Sequence, residues 1–215
     1  MSKGMLLFFF FFVALAGSVC PEEVKPKNIF ILAGQSNMAG RGGLNTPKWD
    51  GKIPHESNPN PNILQLALDN SWVQAHEPLH VGIDYGKTVG IGPGLPFANA
   101  ILAKDPSFGV IGLVPCAKGA TKIKQWALGT KLYKRLVDRA KASLQSNFRH
   151  VAIASAEGPL METVREAQLS INLNNVKCID AKGSHLNKDN LHLDTASQVL
   201  LGQKLADTFL SSFSH

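Results

Sequence analysis

The chain has 215 residues, 44% of them hydrophobic and 18% charged, which is ordinary for a globular protein with one sizeable core and excludes a long disordered tail. The net charge is +6, yet the basic residues form no long run: Lys118, Lys122, Lys124, Lys131, Lys134 and Arg135 cluster loosely, with only Trp126 and Tyr133 among them. A nucleic-acid groove wants more aromatics between its cations, so no nucleic-acid partner is expected; a solvated face or weak attraction to acidic polysaccharide is.

Residues 1–20 read as a signal peptide: Lys3 gives a positive start, residues 5–16 are apolar, and Gly17, Ser18 and Cys20 are small residues near a cleavage point. The apolar run is short for a membrane span. A lipoprotein anchor at Cys20 is disfavoured by Val19, where a small residue belongs. The expectation is a secreted protein with no membrane partner after cleavage and a single domain over residues 21–215. Removing the leader takes away Lys3 and no acid, leaving a net charge of +5. Cys116 and Cys178 each lie in or beside an apolar, strand-like run. Buried free thiols are the plain expectation, with one disulfide as the alternative. No N-x-S/T sequon with a permitted middle residue occurs.

In chain order, Ile29 to Leu32 form a short apolar run that reads as a buried strand. Ala33 and Gly34 allow a sharp turn, and Gln35, Ser36, Asn37 and Met38 follow at what becomes the rim of a sheet, where ligands bind in open α/β folds. A helix starting at Ser36 or Asn37 would offer free N–H groups and a positive dipole end to a developing oxyanion. This is not the G-x-S-x-G elbow, because Met38 stands where its second glycine belongs. Residues 46–61, rich in Pro, Asn and Gly, read as a surface loop. Residues 62–68 read as a strand, followed by a turn at 69–71. His76-Glu77-Pro78-Leu79-His80 fits the zinc pattern H-E-x-x-H literally, but Pro78 would break the helix that the motif needs, so no metal is expected there.

Gly90-Ile91-Gly92-Pro93-Gly94 leads into a helix over 95–104 and completes no phosphate-binding pattern. Residues 108–116 read as a second buried strand. Residues 130–144 read as an amphipathic helix with Leu132, Leu136, Val137, Ala140 and Leu144 inward and Lys131, Lys134, Arg135, Asp138 and Arg139 outward. A strand at 148–155, a helix at 161–171 and a strand at 176–181 follow. Asp189 and His192, three apart, share one side of a helical turn, so the carboxylate can hold one imidazole nitrogen and leave the other facing Ser36. A metal on His185, Asp189 and His192 is not expected, because no second cluster offers more ligands. Asp194 or Thr195 caps a closing helix over 196–209, with Val199, Leu200, Leu205 and Phe209 inward. Five strands interleaved with helices argue an α/β fold with a mainly parallel sheet covered on both faces.

The string G-Q-S-N-M-A-G-R-G, Gly34 to Gly42, resembles the first block of the SGNH-type hydrolases, in the branch of sialate O-acetylesterase-like and plant carbohydrate esterases. E-P-L-H at 77–80, G-P-G before F-A at 92–98, A-K-G-A-T-K-I-K-Q-W at 117–126 and D-N-L-H at 189–192 are similar to later segments of that family. The resemblance covers roughly 27–126 and 150–212. It implies a flavodoxin-like three-layer α/β/α fold and removal of O-acetyl groups from a carbohydrate, either cell-wall polysaccharide or an acetylated sugar, by a monomer. Ser36 is then the nucleophile, His192 the base and Asp189 its orienter. Gly94, or failing it Gly92, supplies an oxyanion N–H beside that of Ser36, with Gln35 and Asn37 lining the site; no metal or organic cofactor is implied. The family's third block, W/Y-x-Q-G-E-[SA]-D, is missing: Gln145-Ser146-Asn147 joins one helix almost directly to the next strand. One internal strand–helix unit and one supplier of oxyanion donors are therefore lost, and such a donor typically carries about 10²–10³ in rate. Two other readings stand beside the esterase. One is a non-catalytic or unstable truncated remnant, against which the intact Ser36, Asp189 and His192 argue. The other is a zinc hydrolase built on His76 and His80.

Overall fold

Short apolar runs become strands here, and the amphipathic stretches between them become helices. The structure is a computed structural model describing residues 25–45, 48–143, 151–154, 161–173 and 176–213. The leader expected at 1–20 lies outside the described residues, as does the 144–150 joint. In order come β1 (Asn28–Leu32), α1 (Ser36–Ala39), β2 (Leu44–Asn45), β3 (Lys48–Trp49), β4 (Ile63–Leu66), β5 (Trp72–Gln74), α2 (Gly94–Lys104), β6 (Ile111–Pro115), α3 (Lys131–Ser143), β7 (Val151–Ala154), α4 (Met161–Leu169), β8 (Val176–Ile179) and α5 (Thr195–Phe213).

All five expected strands form, but they do not make one sheet. A four-stranded sheet runs β1-β6-β4-β5, while β7 and β8 pair with each other in a separate parallel sheet. β1, β6 and β4 are mutually parallel, with Asn28 opposite Ile111 and Leu32 opposite Pro115. β5, which the sequence reading passed over, returns antiparallel to β4 after the expected turn. At the start of the supposed surface loop, β3 pairs antiparallel with β2, just before it, in a small ribbon. Among the described residues, β1 has a ladder partner on one side only. That is the edge an absent internal strand would leave.

Helices cover both faces. α2 and α5 pack along one another on the first face, where Leu32, Ile63, Ile111 and Leu113 meet Leu95, Ile101, Leu201 and Leu205. Phe30 stands edge-to-face on Phe97 at 4.8 Å and on Phe209 at 5.1 Å, joining β1, α2 and α5. Each such pair contributes about 0.5–1.5 kcal/mol beyond the area it buries. The helices come close because Gly202 has no side chain: a Cβ there would lie 2.6 Å from the Pro93 carbonyl oxygen. α3 covers the second face, where a much smaller cluster of Leu66, Val114 and Cys116 receives Leu136.

Two helical assignments need correction. Arg139 does not face solvent; it is buried, and its guanidinium donates to the carbonyls of Pro115 at 2.9 Å, Ala67 at 3.2 Å and Leu66 at 2.6 Å. Strand ends that need donors override the cationic stripe of α3. On α5 it is Leu201, not Leu200, that packs inward, and Leu200 is exposed. Asp194 caps α5, accepting from the Ser197 N–H at 2.8 Å. Both cysteines are free: Cys116 is buried as expected, whereas Cys178 is half-buried. Burial pushes both thiols up in pKa, Cys116 despite the neighbouring Arg139.

Candidate active site

The turn after β1 places Gln35, Ser36 and Asn37 at the carboxyl rim of the sheet. α1 is a single turn, and Ser36, as its first residue, has no intrahelical acceptor for its N–H. Gln35 is exposed and makes no side-chain cap. The turn is fastened to its neighbours by backbone. Lys118 donates to the Gly34 carbonyl at 3.0 Å, and Gly42 and Ile91 exchange N–H···O bonds at 3.0 Å each. Such close apposition explains the glycines. A Cβ on Gly40 would lie 2.4 Å from the Gly90 oxygen, and one on Gly90 would lie 2.2 Å from the Gly42 oxygen.

The second glycine segment therefore has a packing role of its own. Gly94 opens α2, where a Cβ would stand 2.6 Å from Leu32 and 2.7 Å from Leu79. The Gly92 N–H is directed at the carboxyl group of Glu77, which also accepts from the Leu79 N–H at 3.0 Å. Burial raises Glu77 to a pKa of about 8, so it sits protonated near neutrality. His80 is also buried, and desolvation lowers it to about 3. The segment from His76 to His80 is an irregular turn, not the helix that would set both imidazoles on one face.

Asp189 and His192 meet, but through a tighter device than a helical turn. Residues 186–193 form a narrow loop closed by an antiparallel bridge between Leu186 and Leu193, with Asn190 at φ 52°. Asp189 Oδ1 accepts the N–H groups of Leu191 and His192 at 3.0 Å each, an Asx turn that leaves Oδ2 to take His192 Nδ1 at 2.6 Å. Burial pushes the Asp189 carboxyl up, but these three hydrogen bonds outweigh it and hold the group below the usual carboxylate range. His192 Nε2 is then the free nitrogen of the ring.

Two side-chain amides lash this loop to the serine turn. Asn37 Oδ1 accepts the Leu193 N–H at 3.0 Å, and Asn187 Nδ2 donates to the Arg41 carbonyl at 2.8 Å. The residue after the serine thus holds the residue after the histidine, although the two stand 156 positions apart. No hydrogen bond joins the Ser36 hydroxyl to the His192 ring.

A buried ionic cluster under the serine was not anticipated. Asp84 takes Arg41 Nη2 at 2.5 Å, Lys118 Nζ at 3.2 Å and the Gly119 N–H at 3.1 Å. Desolvation pushes the Asp84 carboxyl up, but its partners win and it stays low. Gly119 completes the link, since a Cβ on it would lie 3.5 Å from Ser36 Cβ and only 2.5 Å from Arg41 Nη2. Asp84 so ties three segments around the serine. Arg41, inside the first block, was the available signal, but its partner lies 43 positions away.

Comparison with known proteins supplies the family. The family model for carbohydrate esterase, sialic acid-specific acetylesterase, matches residues 26–153 and 147–211. Its two stretches meet at the joint between α3 and β7. The probable carbohydrate esterase At4g34215 of Arabidopsis thaliana is 43% identical over 257 aligned positions that take in 92% of this chain and 98% of that protein. With 215 residues here, the relative carries about 60 residues that have no counterpart in this chain. The X-ray structure of the Arabidopsis thaliana AT4G34215 protein superposes with a TM-score of 0.82 at 40% identity, covering 87% of this chain and 99% of that one. The crystal structure of NanS shares the fold, with a TM-score of 0.55 at 17% identity over 87% of this chain and 98% of its own. A serine turn, a second glycine segment and a closing Asp–His loop on an α/β sheet, matched along nearly the whole described chain, make this protein a member of the sialic acid-specific acetylesterase family of carbohydrate esterases.

Proposed function

We propose that this chain is a serine esterase that removes O-acetyl groups from carbohydrate, with Ser36, His192 and Asp189 as its catalytic residues. The observation that carries the reading is the Asn37–Leu193 hydrogen bond, which brings the serine turn and the Asp–His loop together across the rim. Ser36 Oγ attacks the acetyl carbonyl carbon and His192 Nε2 takes its proton. The tetrahedral oxyanion is held by the N–H groups of Ser36 and Gly94 at the starts of α1 and α2. Collapse expels the sugar hydroxyl, which takes the proton from His192. Water then attacks the acetyl-enzyme by the same route and releases acetate. Asp189 keeps the imidazole in the tautomer with Nε2 free. Nothing in these steps calls for a metal or organic cofactor. The leader at 1–20 supports secretion, and we read the enzyme as a monomer acting on acetylated cell-wall polysaccharide or sugar.

The gap of about 60 residues and the one-sided pairing of β1 favour one other reading, a folded remnant without turnover. Hydrolysis of p-nitrophenyl acetate by purified wild type and Ser36→Ala, with circular dichroism on both, separates the two. A folded wild type at least about 10³-fold faster than folded Ser36→Ala supports the triad. A folded wild type no faster than the variant makes the chain a remnant, and an unfolded wild type means that the missing unit was needed for the fold.

A further inference from the structure

Beside the serine turn, along the same carboxyl rim, lies a groove that the acyl-transfer chemistry does not use. It runs between the loop after β4, the segment around Tyr85 and the first half of α3, and has a volume of about 740 Å³. That is the size of an ordinary ligand cleft. It is lined by apolar Leu68, Ile83 and Leu132, of which Leu68 is exposed, and by Lys131, Lys134 and Arg135 against one acid, Asp138. Among the described residues, neither Lys131 nor Lys134 has a carboxylate within ion-pair distance. The first turn of α3 contains no acidic residue, so these cations sit against the positive end of the helix dipole, a placement that costs stability unless an anion is near.

Tyr85 links the groove to the serine. Its ring, more than half exposed, holds the Lys118 ammonium 3.6 Å from its centre and the Arg135 guanidinium at 5.5 Å. Lys118 is followed by Gly119, which packs against Ser36. The groove opens at the end of β4, two strands across from β1, hence about 10 Å away at ordinary strand spacing. Apolar lining residues suit the C–H face of a sugar ring, and the two lysines suit a carboxylate at its edge.

We propose that this groove is a subsite for a uronate residue of an acidic polysaccharide, one or two sugars along the chain from the residue whose acetyl group faces Ser36. The inference rests on the esterase reading for its register on Ser36, and on the groove alone for its ligand. It sets the carboxylate on a different sugar from the ester, which a lone acidic monosaccharide cannot satisfy.

The test uses Ser36→Ala protein and isothermal titration with three non-acetylated probes: a galacturonate hexamer, a xylose hexamer and galacturonic acid. The uronate hexamer binds at least tenfold tighter than both others, binding weakens with added salt, and Lys131→Gln/Lys134→Gln lowers its affinity about tenfold. Equal binding of charged and neutral hexamers, equal binding of monomer and hexamer, or unchanged affinity in the double variant each overturns the proposal. In the Ser36 background, the double variant raises KM about tenfold on an acetylated pectic oligomer while p-nitrophenyl acetate turnover stays unchanged. Failure of the wild type on p-nitrophenyl acetate defeats the esterase reading and leaves the titration to decide the subsite.

Discussion

The four-stranded sheet and the β7–β8 pair are built to different standards. The first has aromatic and aliphatic packing from α2 and α5 on one face, α3 on the other, and Arg139 closing its strand ends. The second has two strands, and α4 is joined to it by Arg165, which grips Asp180 through Nε at 2.7 Å and also through Nη2. Yet the site draws on both. Ser36 follows β1 of the strong sheet, and Asp189 and His192 sit beyond β8 of the weak one. The Asp–His loop is nevertheless held to the strong half, by Asn37, by Asn187 and by the His185 N–H on Ser197 of α5 at 2.8 Å. The one-sided pairing of β1 among the described residues therefore leaves the two halves of the candidate site joined.

The largest effect falls on the ionic cluster that anchors the strong half. Asp84→Asn leaves the buried Arg41 charge without an anion and costs about 3–5 kcal/mol. That lowers the Tm by about 10 °C in a thermal melt and takes esterase turnover with it. Arg139→Met strips donors from three carbonyls at the ends of β4 and β6 and costs about 2–4 kcal/mol, read as a shifted denaturant midpoint with an unchanged slope. Arg165→Ala sharpens the contrast. Amide hydrogen exchange should rise across β7, α4 and β8 and stay unchanged in β1, β6 and β4; equal loss of protection in both sheets would show that they fold as one unit.

Glu77 gives the strong half a pH dependence of its own. The folded state keeps this proton up to about pH 8, whereas the unfolded chain releases it near its ordinary 4.5. The folded state therefore binds more protons in that window, and stability falls as pH rises through it. His80 works in the opposite sense between about 3 and 6.5, where the unfolded chain takes up the proton. From pH 6.5 to 8 only the Glu77 contribution is left of the two, a loss of about 2 kcal/mol. Glu77→Gln flattens the Tm profile there. The smallest effect belongs to the exposed Lys104–Asp207 pair between α2 and α5, where Lys104→Ala changes stability by no more than about 0.5 kcal/mol.

These contrasts also mark how far the residues could be read unaided. The fully buried run of β6 and the punctuated run of β1 were legible because apolar residues between breakers leave few other structures. β5 was not, since three residues after a turn carry no period. Arg139 sits among the cations of α3 in every helical projection, and only the carbonyls of other segments make its position an inward one. Asp84 gave no sign at all, because its partners come from two distant segments. The Asp189–His192 pairing was visible in D-N-L-H, but Asp-Asn is the signature of an Asx turn with a left-handed residue, and that signal outranks helical spacing.

Among the described residues β1 is an edge strand, which makes its fate depend on protein concentration. A bare strand edge is a template for pairing with another chain, and the edge left unpaired among the described residues belongs to the apolar sequence Asn-Ile-Phe-Ile-Leu. Such an encounter involves two molecules, so its rate grows with the square of their number, whereas folding of each chain does not depend on number at all. Dilution therefore protects the strand that leads into Ser36, and crowding exposes it to such encounters.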